Sequence, residues 1–377
     1  MKITKLMLSA LVAAAALVSC NKEDQTPVET GVKSVSISFE NAIMTKSASN
    51  GQVSGAVTVN NFKIFLLDKD DNEYNAYTIT AEGKGEIATT YFSQISTLPS
   101  TINLHYIDPA VTRIAIIANA GDLPWGSVKD GYALDITYQQ DPTALTLYGE
   151  DNDLEMAEEK KHLANGDVTV LYTAAVTLSP TVSRFEVDGF RIGFDPNNPK
   201  FNSVLISQIA FQNYYPASDA VSGTASGPLT AHISDLGKDS VVYDWFNATK
   251  EAAWYWDNCN LTLTPSSSVG KVGTKGLAYH FFAGNKVPVM VIDMVADGRP
   301  AYVYSKSFKV IKDGTATTLD KLEAGKVYRM SAEGADKTTD PNGYIEIPEV
   351  NIEPGNHCID ITVSVVDWVV TLVQPEF

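Results

Sequence analysis

Apolar and polar residues alternate in many short runs along the chain. Val35, Ile37 and Phe39 alternate with two serines, which is the period of a β-strand that buries one face. Residues typical of turns (Gly, Asn, Asp and Pro) separate the runs. The same period recurs in the segments VTVNNFKIFLLD, NAYTI, TINLHYI, RIAIIAN, DVTVLYTAAVTL, RFEVDGFRIGF, SVLISQIAF, LAYHFFAG, PVMVIDMVA, AYVYSKSFKVI and GKVYRMSA. The pattern predicts a chain built mainly of β-strands.

Helical patterns are sparse. Residues 149–166 carry acidic residues early, lysines late and a final glycine, which favours a short helix. Their apolar face is thin, so an acidic surface loop with one helical turn is the alternative. Residues 243–256 form either another short helix or an irregular aromatic loop. Many short strands without alternating helices favour β-sandwiches over a parallel α/β sheet, so the predicted fold class is all-β with few short helices.

The length of the chain sets the expected number of domains. A chain of 377 residues is long for one hydrophobic core, so two domains are expected. One predicted strand ends and another begins between Pro180 and Arg184. We therefore predict two β-sandwich domains, at residues 47–183 and 184–377.

The hydrophobic period changes phase in the last segment, ITVSVVDWVVTLVQPEF. One set of apolar residues is Ile361, Val363 and Val365, and the set of opposite parity is Val366, Trp368, Val370 and Leu372. A long strand without glycine and with few charges is a ready template for pairing with another molecule. A β-bulge within one intramolecular strand is the alternative.

The first twenty residues have the features of a bacterial lipoprotein signal. Lys2 and Lys5 precede an apolar stretch, residues 6–18, that is too short to span a bilayer. The stretch ends in Leu-Val-Ser-Cys, which resembles a lipobox, so residues 1–19 are predicted to be removed and Cys20 to be lipidated. Acyl chains on Cys20 would anchor the mature N terminus in the outer membrane. A cleaved secretory signal with an incidental cysteine is the alternative.

The overall charge limits the kinds of partner that the chain can bind. Asp and Glu number 45 against 28 Lys and Arg, which gives a formal net charge of −17. Phosphate binding needs a cationic surface, so the charge argues against a nucleic-acid partner. The composition, 44% hydrophobic and 19% charged, is that of a folded globular protein.

Two further cysteines remain if Cys20 carries lipid. Cys259 and Cys358 would lie outside the cytoplasm, where thiols can pair, and a bridge across so long a loop stabilises a fold by ~3–5 kcal/mol. Two separate buried thiols are the alternative. The sequence leaves both arrangements open.

The sequence contains no motif for catalysis, metal binding or a cofactor. The five histidines are scattered without zinc-ligand spacing, and there is no nucleophile elbow, P-loop or dinucleotide motif. His105 and His280 lie within apolar strands, where a hydrogen-bonded structural role is expected. No catalytic residue, metal or cofactor is therefore predicted.

Two clusters offer weaker alternatives. Asp68, Asp70 and Asn72 have the alternate spacing of a calcium loop but lack its glycine and distal glutamate, so a hairpin turn is favoured. Trp254 and Trp256 lie in an aromatic-rich segment and form either a platform for sugar rings or part of a core.

Four segments, together with the lipobox, resemble the fimbrillin family, whose members are lipoprotein-derived subunits of type V pili in anaerobic Gram-negative bacteria. KSVSISFENAIMTKSA is similar to the N-terminal strand and processing site, and VTRIAIIANAG to a central strand of the first domain. LEAGKVYRMSA is similar to a late strand of the second domain, and ITVSVVDWVV to the closing strand. The resemblance covers the whole chain.

The resemblance implies two tandem transthyretin-like β-sandwich domains and assembly by strand exchange. In the family a protease removes an N-terminal strand together with its lipid, and the C-terminal strand of a neighbour fills the vacated groove. Residues 20–46 correspond to the lipidated tether and removable strand, with residues 35–39 as the part that is displaced. Residues 361–377 correspond to the donor strand, with Trp368 as its pocket anchor.

The processing site departs from the family pattern. Family members are typically cut after arginine, whereas the loop that follows the first strand offers Lys46 and no arginine. Exposed loops of small polar residues are prone to cleavage, so Lys46–Ser47 is the predicted scissile bond. A strictly arginine-specific protease would leave the lipid and the strand in place, and the protein would then be an anchor or an unpolymerised subunit.

The function implied by the resemblance is that of a structural, non-enzymatic subunit of a cell-surface fimbrium that supports adhesion. The protein would first be an outer-membrane lipoprotein precursor and then part of the fimbrium. Its expected partners are further copies of itself, anchor or tip subunits, outer-membrane lipid before cleavage, and host glycans or proteins. A surface glycan-binding lipoprotein is the alternative function, and an enzyme is a third without a supporting motif.

Overall fold

The fold of the chain is given by a computed structural model. The structure describes residues 29–39, 56–58, 61–80, 101–121, 123–130, 133–136, 138–140, 145–164, 166–219, 225, 229, 255–273, 276–312, 315–331, 343–352, 357–367 and 371–373.

These residues fold mainly into β-strands, which confirms the all-β prediction. In the described part of the chain the helical elements are α1 (Trp125–Lys129) and two 3-10 turns, Tyr138–Gln140 and Glu349–Ile352. The strands up to residue 180 are β1 (Glu29–Phe39), β2 (Ala56–Thr58), β3 (Asn61–Leu67), β4 (Glu73–Thr80), β5 (Thr101–Ile107), β6 (Arg113–Ala118), β7 (Ala133–Asp135), β8 (Leu147–Asp151), β9 (Glu155–His162), β10 (Val168–Val176) and β11 (Ser179–Pro180).

The strands after residue 180 follow with short connections. They are β12 (Val182–Val187), β13 (Gly189–Gly193), β14 (Val204–Gln212), β15 (Ala217–Asp219), β16 (Tyr255–Leu263), β17 (Val269–Lys271), β18 (Leu277–Phe282), β19 (Val289–Ala296), β20 (Arg299–Lys312), β21 (Thr315–Thr318), β22 (Lys326–Ser331), β23 (Gly343–Tyr344), β24 (Glu346–Pro348), β25 (His357–Asp367) and β26 (Thr371–Val373).

Three sheets contain most of the strands. A four-stranded sheet has the order β5-β1-β10-β9, and a five-stranded sheet has the order β11-β8-β6-β3-β4. A ten-stranded sheet has the order β16-β14-β19-β20-β25-β23-β22-β12-β18, with β21 beside β20. Smaller sheets are β17-β13-β24, β15-β7 and β2-β26. Every strand of the first two large sheets precedes β12, and the predicted domain boundary between residues 183 and 184 lies within β12.

The alternating residues supply one continuous hydrophobic core. In the ten-stranded sheet its centre is Phe185 on β12, a strand whose residues are all buried. The ring of Phe185 lies 5.2–5.9 Å, between centroids, from four other aromatic rings, those of Phe211, Phe281, Phe308 and Tyr328. Near the five-stranded sheet, α1 is held by Trp125, whose ring centroid lies 5.2 Å from that of Phe65.

A polar contact joins the 3-10 turn Tyr138–Gln140 to β18. The Gln140 side chain donates to the backbone oxygen of His280 at 2.7 Å and accepts from its backbone N–H at 3.0 Å. Nδ1 of His280 lies 2.6 Å from the backbone oxygen of Gln139, and Nε2 lies 3.1 Å from the Arg184 guanidinium. Burial and the Arg184 charge lower the pKa of His280 to about 4. His280 therefore has the hydrogen-bonded structural role that the sequence predicts.

The segment predicted as a short helix or an acidic loop, residues 149–166, is neither. It contains most of β8 and all of β9, with β9 paired to β10 at the edge of the four-stranded sheet. Most side chains of β9 are exposed, and Met156 is 56% exposed, so the segment lacks the apolar face that a packed helix needs. The charged residues that favoured a helix in the sequence lie on an edge strand, where charges oppose pairing with other chains.

Candidate assembly site: the first strand and its groove

Strand β1, which contains the predicted displaced residues, lies in the interior of its sheet. It pairs in parallel with β10, where Val35 is opposite Tyr172 and Ile37 is opposite Ala174. On its other edge it pairs in an antiparallel manner with β5, where Ile37 is opposite Ile102. We call the space between β5 and β10 that β1 occupies the β1 groove.

The apolar face of β1 belongs to the core. The side chains of Val35 and Ile37 are fully buried, and they belong to the same cluster as residues of the five-stranded sheet such as Ile64 and Ile116. Each such side chain contributes about 1.5–3 kcal/mol by its removal from water. The side chain of Phe39, the third predicted member, lies outside the described residues, although its backbone pairs with Val176. A strand so placed is costly to remove, because its departure exposes apolar side chains and unpaired backbone groups.

Polar side chains of β1 bind the neighbouring elements. Lys33 Nζ donates to the backbone oxygen of Val111 at 2.7 Å and lies 4.5 Å from the centroid of the Tyr172 ring. Ser38 Oγ donates to the backbone oxygen of Ala174 at 3.2 Å. These contacts fix β1 along both of its edges.

Ser34 makes the most buried polar contacts of β1. Its Oγ lies 2.9 Å from Nδ1 of His105 on β5 and 2.7 Å from Oγ1 of Thr169 on β10. Ser34 is fully buried and Thr169 is 2% exposed. His105 thus also has the structural role expected of it, and burial together with the Lys161 charge lowers its pKa.

A β-bulge in β5 lies opposite Ser34. Lys33 pairs with Ile107 and Val35 with Leu104, so two steps along β1 correspond to three steps along β5. Within the bulge Tyr106 has a φ of 58°, an uncommon value for a non-glycine residue. The sequence does not reveal this arrangement, because Ser34, Ser36 and Ser38 occupy equivalent positions of the alternating pattern.

The predicted lipidation and processing residues lie outside the described part of the chain. Cys20 precedes it, and Lys46 and Ser47 lie between β1 and β2. Among the described residues no helix is both long enough and apolar enough to cross a membrane.

The predicted donor segment is divided between two strands. Its first half forms the end of β25, which lies between β20 and β22, and Ile361 and Val363 there are buried. The backbones of Val365 and Val366 pair with β22. Trp368 and Val370 lie outside the described residues.

Strand β26 contains Leu372, the last residue of the predicted set. Its backbone pairs in parallel with Val57 of β2, and the neighbouring pairs are Thr371 with Ala56 and Val373 with Thr58. The change of phase in the sequence therefore falls near the end of β25, and the chain forms a second, separate strand after it.

Cys259 and Cys358 are separate free thiols, so of the two arrangements left open by the sequence the disulfide is wrong. They lie on β16 and β25, which are separated in the sheet by β14, β19 and β20. With strands about 4.8 Å apart the two Cα atoms lie on the order of 19 Å from each other, whereas a disulfide needs about 4.4–6.8 Å. Burial raises the pKa of the Cys259 thiol to about 12.

The other clusters of candidate residues have structural surroundings. Asp68 accepts from the backbone N–H groups of Asp70 and Asn72 in the turn between β3 and β4, as expected for a hairpin turn. Trp254 lies outside the described residues, and Trp256 at the start of β16 is 36% exposed. No group of three His, Cys, Asp or Glu side chains in the described ranges converges as metal ligands do.

Comparison with solved structures identifies the fold. The chain superposes on a fimbrilin (fimA) from Porphyromonas gingivalis W83 with a TM-score of 0.52 at 10% sequence identity, over 91% of this chain and 99% of that one. This chain has the fold of a fimbrilin. This chain also superposes on a "putative cell adhesion protein" from Bacteroides eggerthii with a TM-score of 0.52 at 12% identity, over 93% of this chain and 100% of that one. No protein-family model and no curated protein matches the sequence.

Proposed function

We propose that this protein is a structural, non-catalytic subunit of a cell-surface pilus and that it assembles with other pilus subunits. The fold shared with a fimbrilin supports this function. The observation that carries the mechanism is the place of β1, which is the first strand of the described residues and fills an interior position of its sheet. Only a strand near a chain end can leave such a position by a single cut without disrupting the chain connections of the remaining strands.

The proposed assembly begins with a lipoprotein anchored through Cys20 in the outer membrane. Cleavage of the Lys46–Ser47 bond separates β1 and the lipid from the rest of the chain. The β1 groove then lacks a strand, and its backbone groups on β5 and β10 and the core beneath Val35 and Ile37 are exposed to water. A strand from a second subunit restores these contacts by strand addition.

The donor in this proposal is shorter than the segment 361–377 that the sequence favours. Residues 361–363 pair with β20 and residues 364–367 pair with β22 within their own sheet, and Ile361 and Val363 fill their own core. Their transfer to another subunit would open the ten-stranded sheet. We therefore assign the donor role to residues 368–377, with Trp368 as the anchor. Because the donor and the groove are different surfaces, the contact repeats without closing and produces a filament.

The test is controlled cleavage of the purified precursor. Brief trypsin treatment is expected to give a product that begins at Ser47 and forms SDS-resistant ladders, with the N terminus determined by Edman sequencing. Deletion of residues 368–377 is expected to abolish the ladder while the cut still occurs. The Lys46→Gln variant is the control, since it keeps the tail and removes the scissile lysine. Ladders that persist without residues 368–377 would overturn the donor assignment, and cut protein that stays monomeric would overturn the proposed function.

A further inference from the structure

The β1 groove contains one buried polar position, at Ser34. Thr169 Oγ1 and His105 Nδ1 both face Ser34 Oγ, at 2.7 and 2.9 Å. A hydroxyl can donate one hydrogen bond and accept another, so a single serine serves both neighbours. Val35 and Ile37, which are apolar and fully buried, lie on the opposite face of the strand, against the core.

The two partners of Ser34 are positioned by contacts of β5 and β10 as well as by β1. The bulge in β5 places His105 opposite Ser34, and the phenol of Tyr106 in the same bulge donates to Asp167 Oδ2 at 2.6 Å. Thr169 and Asp167 lie at the start of β10 and just before it, so both walls of the groove are tied together next to the polar position. This contact between the two walls does not involve β1.

We propose that His105 and Thr169 form a hydroxyl-recognition site that selects the strand that replaces β1, and that its occupant in the assembly is Thr371 of a second copy of this chain. This inference rests on the proposed pilus function. A buried donor or acceptor without a partner is unfavourable, so an incoming strand that presents an apolar side chain at this position is disfavoured.

Thr371 is assigned by elimination and by its neighbours. The hydroxyl-bearing residues of the segment 361–377 are Thr362, Ser364 and Thr371. The first two lie on β25, where Thr362 pairs on both edges and Ser364 pairs with Arg329 of β22 and is buried. Thr371 has an apolar residue on each side, Val370 and Leu372, so a strand entering in either direction presents a hydroxyl next to an apolar residue, as β1 does with Ser34 and Val35.

The first experiment measures the groove directly with synthetic β1 peptides. Trypsin-cut protein, freed of its first strand in mild denaturant, is titrated with a peptide of residues 29–45 and with variants of it. We expect Ser34→Ala to weaken binding by about tenfold, since a buried hydrogen-bonding pair loses its partner, and Ser36→Ala to leave binding within about twofold. Equal binding of the Ser34→Ala and unmodified peptides would overturn the proposal.

A double-mutant cycle then assigns the effect to the groove. With Thr169→Val protein, the difference between the unmodified and Ser34→Ala peptides is expected to shrink, because the groove no longer offers that hydroxyl. Thr169→Ser is expected to restore the difference, and it also separates recognition from misfolding of the valine variant. An undiminished difference with Thr169→Val would exclude Thr169 from the site.

The second experiment tests the occupant. Subunits with Thr371→Val are expected to form ladders about tenfold more slowly than unmodified or Thr371→Ser subunits, and to regain part of the rate when paired with Thr169→Val grooves. Equal rates for Thr371→Val and unmodified subunits would overturn the assignment of Thr371. If unmodified subunits form no ladder, the pilus function fails, while the peptide titration still decides whether the groove recognises a hydroxyl.

Discussion

Replacement of Ile37 by alanine tests how strongly β1 is held in its groove. Ile37 is fully buried, and the change removes three carbon atoms, each worth ~0.8 kcal/mol of transfer free energy. The cavity that remains adds a further cost, so we expect a loss of ~3 kcal/mol. Because β1 lies between β5 and β10, the loss should appear as easier opening of these two strands.

Native-state hydrogen exchange of the intact precursor measures this opening strand by strand. In Ile37→Ala the free energy of opening measured at the amides of β5 and β10 is expected to fall by ~3 kcal/mol. The free energy of opening at the amides of β14 and β19, in the ten-stranded sheet, is expected to stay unchanged. Ser38→Ala is the matched control, because this exposed side chain makes one bond to the Ala174 oxygen and should cost ~1 kcal/mol or less. A loss in Ile37→Ala no larger than that of the control would refute the view that the buried face of β1 holds the strand.

Three further predictions concern the rest of the fold. Glu186→Gln is expected to lower the stability by ~3 kcal/mol in chemical unfolding, because this buried carboxylate binds two arginine side chains at 2.8 Å. His280 has a pKa of about 4 in the folded protein, below the value of about 6.5 in the unfolded chain, so the unfolded chain takes up this proton at a higher pH. The free energy of unfolding should therefore fall as the pH drops from about 6.5 to 4. The His280→Gln variant should reduce this fall by up to about 3 kcal/mol. Val57→Cys with Leu372→Cys, in a chain without its native cysteines, should form a disulfide in the monomer and block ladder formation until it is reduced, whereas either single change should not.

The period of the apolar residues is sufficient to predict the class of fold and where β1 lies in the sequence. Val35 and Ile37 alternate with serines and are buried, as the pattern requires. The pattern failed at residues 155–162, where charge order indicates a helix while hydrogen bonding to β10 produces an edge strand. Local propensity cannot represent such pairing, because the partner strand lies elsewhere in the sequence.

The candidate site was only partly predictable for a similar reason. The sequence identifies β1 as an amphipathic strand, but its three serines occupy equivalent alternate positions, so the pattern does not show which of them is buried. Only Ser34 is fully buried, because the bulge in β5 and Thr169 of β10 enclose it. The phase change near Val366 was correctly detected as an irregularity, but the end of one strand and the start of another produce the same pattern as a bulge.

The two strands in the proposed exchange differ greatly in how firmly the monomer holds them. Strand β1 pairs along both edges and buries apolar side chains, whereas within the described residues β26 pairs only with β2, over three residue pairs. A two-stranded sheet of three residue pairs is marginal in water, so we expect β26 to leave β2 more readily than β1 leaves its groove. Cleavage after Lys46 does not remove β2, which follows the cut in the chain. In the proposed assembly the cut therefore acts on the groove and not on the tail, and departure of β1 is the step that limits polymerisation.

Added β1 peptide should accordingly slow ladder formation in proportion to its occupancy of the groove. Deletion of β1 from the gene should remove the slow step between the cut and the first ladders, because no strand then has to leave the groove.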